Sequence, residues 1–427
     1  MRPMGTLTKE NWVEPLDLAR GIEEDFILLY SGLRLPFSGR YSILAIKPKE
    51  TVTSSSFDDL ESKLSSDKQK FENAWFGYLG YGLKNTLEKL PSDDASFINL
   101  PELYMASYCL TMVFDHEKKE IKLYGDESLI PTEKGKSSLP KTSIKSILSN
   151  MNRDEYLSKV SVIKEAIKNG DLYQANLTRK FSGEFEEAPD GFAIFSSLCA
   201  ISPAPYSSFI KMGDKYVISS SPERFVSIDS TGNADSRPIK GSAPRFEESE
   251  KDNSSKEHLK NSEKDRAENL MIVDLMRNDF SRSSKTGSVE VESLYDITSY
   301  STVHHMSSTI KSQKAANVST LDFIKNCFPP GSMTGTPKIK AMELCSQLEK
   351  QKRGVYSGAI GYFGGDGSAD FSVVIRTIII DGNKFEFQVG GAIINDSNAD
   401  LELEETMIKA KAVSKSINIE LDRLKAI

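Results

Sequence analysis

The chain has 427 residues, 38% hydrophobic, 9% aromatic and 27% charged, so it is not a disordered chain and has enough apolar surface for two domains or one large two-lobed core. Lys and Arg number 54 against 61 Asp and Glu, a net charge of −7, which excludes broad electrostatic attraction to nucleic acid or anionic lipid. No run approaches the ~20 apolar residues of a membrane span, and the opening MRPMGTLTKE lacks the apolar centre of a signal peptide, so a cytoplasmic protein without nucleic-acid or membrane partners is expected.

In chain order, AWFGYLGYGL (74–83) and PELYMASYCLTMVFD (101–115) are rich in aromatic and branched residues and read as strands. PTEKGKSSLPKTSIKS (131–146) offers little to bury and reads as a connector, dividing the chain into 1–146 and 147–427. Asn152 and Glu155 then form a capping-box start, Leu157, Val160, Ile163 and Ile167 share one helical face, and Gly170 is a natural stop. The alternation in Tyr173-Gln-Ala-Asn-Leu-Thr178 predicts a strand with Gln174, Asn176 and Thr178 on one face. From Pro244 to Glu268 the chain is heavily charged and expected to be solvated, turning amphipathic at 268–277. Cys109, Cys199, Cys327 and Cys345 fall singly in apolar contexts, as buried reduced thiols do.

Five constellations could carry chemistry. Glu223 and Lys240 both stand beside proline turns, and a lysine desolvated in a pocket becomes a nucleophile, although a surface position is the simpler reading. Asp265 with Glu268, and Glu402 with Glu405, are spaced i,i+3, so each pair shares a helix face. Two such pairs facing one cavity suit Mg²⁺, which takes one or two protein carboxylates, waters and substrate oxygens. Adjacent His304 and His305 point to opposite faces of a strand, so only one of them can serve a given site as a base. Phe328-Pro-Pro-Gly-Ser-Met-Thr-Gly-Thr-Pro-Lys338 enters a helix, with Thr336 as N-cap and Pro337 as first residue, and its free N–H groups suit an anion; it does not end in the Gly-Lys-Ser/Thr of a nucleotide loop. Asp370 to Ile380 is an almost unbroken β-branched run, a strand covered on both faces, so Arg376 within it needs an anionic partner from the protein or a ligand.

Taken in order, Gly170-Asp-Leu-Tyr-Gln-Ala-Asn-Leu177, Ser221-Pro-Glu-Arg-Phe225, Arg237-Pro-Ile-Lys-Gly241, Glu268-Asn-Leu-Met-Ile-Val-Asp-Leu-Met-Arg-Asn-Asp279, Gly331-Ser-Met-Thr-Gly-Thr-Pro-Lys338, Tyr356-Ser-Gly-Ala-Ile-Gly-Tyr362 and Ile375-Arg-Thr377 resemble the chorismate-binding enzyme family, densely over 150–420. The resemblance implies an α+β fold, a two-lobed antiparallel β-sandwich flanked by helices of the anthranilate synthase component I type. Residues 1–146 would join the same two-lobed core, and 147–427 would form the chorismate-binding catalytic region. It also implies Mg²⁺ on Glu268 and Glu405, with Asp265 and Glu402 close behind. The enolpyruvyl carboxylate would be held by Tyr356, Arg376 and backbone N–H groups of Gly390, Gly391 and Ala392, and the ring carboxylate by Ser332.

Family members divide by nucleophile. Gln174 stands where the water-using isochorismate and salicylate synthases have Lys, which favours ammonia here. Lys240 stands where anthranilate synthases have Ala. The branch carrying this lysine is taken to use it to attack C2 of chorismate, with Glu223 expelling the C4 hydroxyl. Ammonia then enters at C4, giving 4-amino-4-deoxychorismate for 4-aminobenzoate and folate synthesis. The alternative is the anthranilate-forming branch of the tryptophan pathway. His305 matches a histidine linked to pyruvate loss but is present in both branches. Ser242 and Ala392 replace the usual Thr and Gly, and Tyr30 replaces an acidic residue of tryptophan-binding relatives. The chain lacks the Gly-x-Cys-x-Gly turn of class I glutaminases, so ammonia is expected from a separate glutamine amidotransferase subunit.

Overall fold

The computed structural model describes residues 5–7, 12–64, 69–91, 96–131, 140–300 and 303–427. Every described strand pairing is antiparallel. One continuous ladder runs from Val303–Gln313 through Asn233–Arg237, Arg224–Ile228, Ala369–Val373 and Ala359–Phe363 to Trp75–Leu79. It continues through Leu103–Asp115, Tyr41–Ser54, Phe26–Tyr30, Tyr206–Met212, Lys215–Ser221 and Thr377–Asp381 to Lys384–Ile393 and Gln174–Phe185. Two large cores fill the two halves. One gathers Phe26, Leu44, Phe181, Phe209 and Phe387; the other gathers Trp75, Phe225, Ile272, Phe328 and Phe371. Each takes side chains from both sides of residue 146, and both strands expected at 74–83 and 101–115 lie inside this system.

Residues 132–139 of the expected connector lie outside the described residues; its end is no linker, because Ile144–Ser149 pairs with Phe181–Phe185. The helix Arg153–Lys168 starts on the expected capping box, with Asn152 Oδ1 accepting from the Glu155 N–H at 3.0 Å, and it closes at Gly170 with φ +82°. The charged stretch is solvated but already helical, over Ser249–Asn261 and Glu263–Ser281, with Ser262 capping the second helix. Three of the four thiols are buried, and all four are unbridged. Among the described residues no helix is long and apolar enough to cross a membrane.

Two expectations are corrected. The run 370–380 is two strands, Ala369–Val373 and Thr377–Asp381, and Arg376 sits in the break with φ +52°. The first strand belongs to one half of the ladder and the second to the other, so the chain changes lobes at Arg376. A β-branched run shows where strand is favoured, but not where it must leave one sheet for another. The neighbouring chain makes the same change at Pro222–Glu223, between Lys215–Ser221 and Arg224–Ile228, and the two corners are tied by Val373 N–H to Glu223 O at 3.0 Å and Ser220 N–H to Arg376 O at 3.1 Å. In the second correction, the helix after the glycine loop begins at Lys338, with Pro337 at the N-cap position and no side-chain cap; Thr336 instead ends a short strand, Gly335–Thr336, laid on Gln174–Ala175. That pairing satisfies the backbone there, which displaces the cap by one residue.

Candidate active site

The paired corners aim Glu223 and Arg376 into the same space. Glu223 is buried, and that burial pushes its carboxyl up to about 7, against the pull of the Ser332 hydroxyl and the Lys240 ammonium. Burial lowers the Lys240 pKa, with Lys409 adding to the fall and Glu268, Glu223 and Glu405 opposing it. Its Nζ donates to Ser332 O at 3.4 Å. A carboxyl whose pKa is raised to about 7 and an amine whose pKa is lowered thus share one pocket. Burial likewise lowers the pKa of Arg376, which faces Tyr300 and Glu223; among the described residues its guanidinium has no ion-pair partner. The anion that its position requires is therefore left to a ligand.

Ser332 lies in a 3₁₀ turn, Gly331–Met333, stitched down by buried cations. Lys338 Nζ binds Asp279 at 2.6 Å and the carbonyls of Cys327 and Pro329 at 2.9 and 3.0 Å. Arg353 pairs with Glu349 at 2.7 and 2.8 Å while donating to Met333 O at 2.7 Å and Asn176 O at 2.8 Å. It fastens the anion loop to the strand Gln174–Phe185. Tyr356 is buried in the same core, with its phenol pKa raised by that burial. Gln174, Asn176 and Thr178 share a face as expected, but Ala175 and Leu177 on the other face are also buried.

The four acidic residues stand on two helices, Glu263–Ser281 and Ala399–Ser416. Burial raises the pKa of Glu268, and Asp265 and Glu402 raise it further; burial and then Glu405 do the same to Glu402. Lysines hold this repelling set together. Lys264 lies 3.9 Å from Glu268 and 3.8 Å from Glu402, and Lys409 lies 2.6 Å from Glu405 and 2.8 Å from Gly390 O. Burial pushes Glu405 upward, yet Lys409 keeps it below the usual carboxylate range. Among the described residues no three acidic, histidine or cysteine side chains already cluster as a chelating group. The repulsion of Glu268 by Asp265 and Glu402, and of Glu402 by Glu405, nevertheless links the two helices in an acidic set that suits a hard cation completing its shell with water and substrate.

Gly390, Gly391 and Ala392 lie in the strand Lys384–Ile393, paired with Thr178, Leu177 and Asn176. Alternation sends the N–H groups of Gly390 and Ala392 to one edge and that of Gly391 to the other, so the three cannot converge on one anion. A Cβ at Gly391 would lie 3.3 Å from Glu402 Oε2, which ties this strand to the acidic helix. His304 is engaged by Ser299 Oγ at 2.9 Å and Asp252 at 3.1 Å, facing away from the site. His305 is the inward one: both ring nitrogens are buried, the Gly241 backbone lies beside the ring, Tyr300 packs edge-on at 4.9 Å, and burial drops its pKa to about 3. It is a neutral imidazole at ordinary pH.

Sequence reasoning missed Arg353, Lys264, Lys409 and Tyr300. The two lysines of the acidic set were readable as i,i+4 partners, Lys264 with Glu268 and Glu405 with Lys409. Tyr300 carried no such signal.

A family model described as chorismate binding enzyme matches residues 29–415. The chain is 36% identical over 349 residues to aminodeoxychorismate synthase component 1 of Salmonella typhimurium, spanning 80% of this chain and 76% of that one. It is 32% identical over 419 residues to the protein of the same name from Klebsiella aerogenes, spanning 91% and 92%. The crystal structure of anthranilate synthase component I from Streptococcus pneumoniae TIGR4 aligns with a TM-score of 0.79 at 29% identity, over 90% of this chain and 93% of that one.

Proposed function

Because the chain belongs to the chorismate-binding enzyme family, we infer that it aminates chorismate at C4, giving 4-amino-4-deoxychorismate for 4-aminobenzoate and folate synthesis. The observation that carries this reading is the Lys240–Glu223 pair, an amine whose pKa burial lowers beside a carboxyl raised to about 7. Neutral Lys240 Nζ attacks C2, the two ring double bonds shift toward C4, and Glu223 gives its proton to the departing C4 hydroxyl as water. Ammonia then attacks C4, the double bonds shift back, and the Lys240 amine leaves C2. The covalent stage divides one difficult displacement into two. Arg376 and Tyr356 hold the enolpyruvyl carboxylate, with one edge of Gly390–Ala392 beside them, and Ser332 holds the ring carboxylate.

Glu268 and Glu405 would hold Mg²⁺, backed by Glu402 and Asp265. When bound, the ion supplies charge neutralisation for the substrate carboxylate. His305, neutral and buried, shapes the cavity and supplies no proton. Ammonia comes from a separate glutamine amidotransferase subunit in the cytoplasm, in keeping with the component naming of the relatives. The anthranilate-forming alternative is disfavoured by Lys240, which that branch replaces with Ala.

The test is mass spectrometry of the products formed by the isolated chain with chorismate, Mg²⁺ and an ammonium salt at mildly alkaline pH. An aminated product retaining the enolpyruvyl group is expected. Anthranilate, or a hydroxylated product, would overturn the reading.

A further inference from the structure

We infer that Ser308 and Asn269 are positioning residues that hold the Lys240 segment against the helix carrying Glu268; this rests on the amination reading above. Lys240 sits in a β-bulge. Along Val303–Gln313, Ser307 opposes Ile239 and His305 opposes Ser242, so Lys240 and Gly241 together oppose the single residue Met306. A bulge of this kind takes a side chain out of the regular alternation and re-aims it, and Gly241 supplies the left-handed conformation needed, at φ +85°. A Cβ on Gly241 would lie 2.8 Å from Asp265 Oδ1, so the bulge rests directly on the helix Glu263–Ser281.

The opposite edge of the same strand is bulged at nearly the same level. In Glu290–Ser299, Ser293 pairs with Thr309 and Asp296 with Ser307, leaving Leu294 and Tyr295 to face Ser308 alone, and Tyr295 takes a left-handed φ of +61° without being glycine. Such a backbone persists only where its surroundings hold it. Ser308 grips both bulges. Its N–H donates to Pro238 O at 3.3 Å, two residues before Lys240, and its Oγ accepts from the Tyr295 N–H at 3.1 Å. The same Oγ donates its own proton to Asn269 Oδ1. Ser308 and Asn269 are both fully buried, and Asn269 Nδ2 has no hydrogen-bond partner among the described residues, so the bond to Ser308 is the tether of that side chain. Asn269 directly follows Glu268 on the helix. The clasp thus joins the segment of the proposed nucleophile to the helix of the proposed metal ligand. An amine must meet C2 along a narrow line of approach, so slack in this joint costs rate rather than substrate affinity.

Steady-state kinetics of the purified chain with ammonium salts tests this through a double-mutant cycle. Ser308→Ala and Asn269→Ala should each lower kcat for amination about ten- to hundred-fold and leave the KM for chorismate within about two-fold, because Arg376, Tyr356 and Ser332 are untouched. The double variant should be no slower than the slower single, since both changes cut one bond. Asn269→Leu, of similar volume, takes the place of the alanine if that variant does not fold. An unchanged kcat in the singles, losses that multiply in the double variant, or a chorismate KM that rises as kcat falls would overturn the inference. A wild-type enzyme that makes no aminated product would instead overturn the amination reading, and this inference with it.

Discussion

At the scale of single residues, the pocket runs on two shifts in opposite directions. Lys240→Ala removes the amine that attacks in the proposed mechanism but not the groups proposed to grip the carboxylates. C4 amination should therefore fall by at least ~10³-fold while Mg²⁺-dependent chorismate binding, followed by tryptophan or tyrosine fluorescence, persists. In the proposed mechanism Glu223 is the acid, so its useful form is the protonated one. With its carboxyl raised to about 7, Glu223 should give kcat a descending limb as pH rises through that value, while protonation of Lys240 and of ammonia sets the fall on the acid side. Glu223→Gln should slow turnover by roughly 10²- to 10⁴-fold and erase that limb of the pH profile. A limb that survives in the glutamine variant belongs to another group. His305 cannot supply it, since a ring held near 3 is already neutral throughout the range.

At the scale of elements, the site is a meeting of strand corners, a doubled strand end and two helices. The capping box at Asn152, the alternation from Gln174 and the i,i+3 carboxylates were legible because each is written in a local period. The break at Arg376 and the short strand at Thr336 were not, because each is imposed by partners far along the chain: Ser220 and Arg224–Ile228 pair around the first, Gln174–Ala175 around the second. Arg376 also holds a left-handed φ, a conformation costing about 1–3 kcal/mol that persists where the surroundings over-determine it. Gly335 is the most exposed to test. Alanine there would drive a methyl into the Gln174 carbonyl, so Gly335→Ala should cost about 3 kcal/mol or more, visible as a lower urea midpoint with an unchanged m-value.

At the scale of the whole molecule, residues before and after the connector form one structure, and a single buried ion pair shows how. Lys180 and Glu386, both about 97% buried or more, lie 3.2 Å apart on neighbouring strands. Ser96 Oγ binds both, the Ile98 N–H donates to Glu386 at 3.2 Å, and Lys180 also reaches Lys352 O at 2.7 Å. Glu386→Ala would strand a buried ammonium and loosen the 96–98 segment, so about 3–5 kcal/mol of stability should be lost, while Glu386→Gln, keeping the acceptor, should lose less. Equal midpoints for the alanine variant and wild type in chemical denaturation would show that the pair ties nothing. The match of two lobes to one fold was accessible only through the ordered motifs, since composition alone allowed two separate domains just as well.

The lysines threaded through the acidic helices have one more consequence. Lys264 and Lys409 act as tethered counter-ions, so the carboxylate set is partly neutralised before any dissolved cation arrives. A divalent ion entering there competes with ammonium groups already in place, and free NH₄⁺ is another of the same kind. The salt that feeds the reaction as NH₃ would thus oppose it as NH₄⁺. Turnover plotted against total ammonium at limiting Mg²⁺ should pass through a maximum, and the maximum should move to higher ammonium as Mg²⁺ is raised.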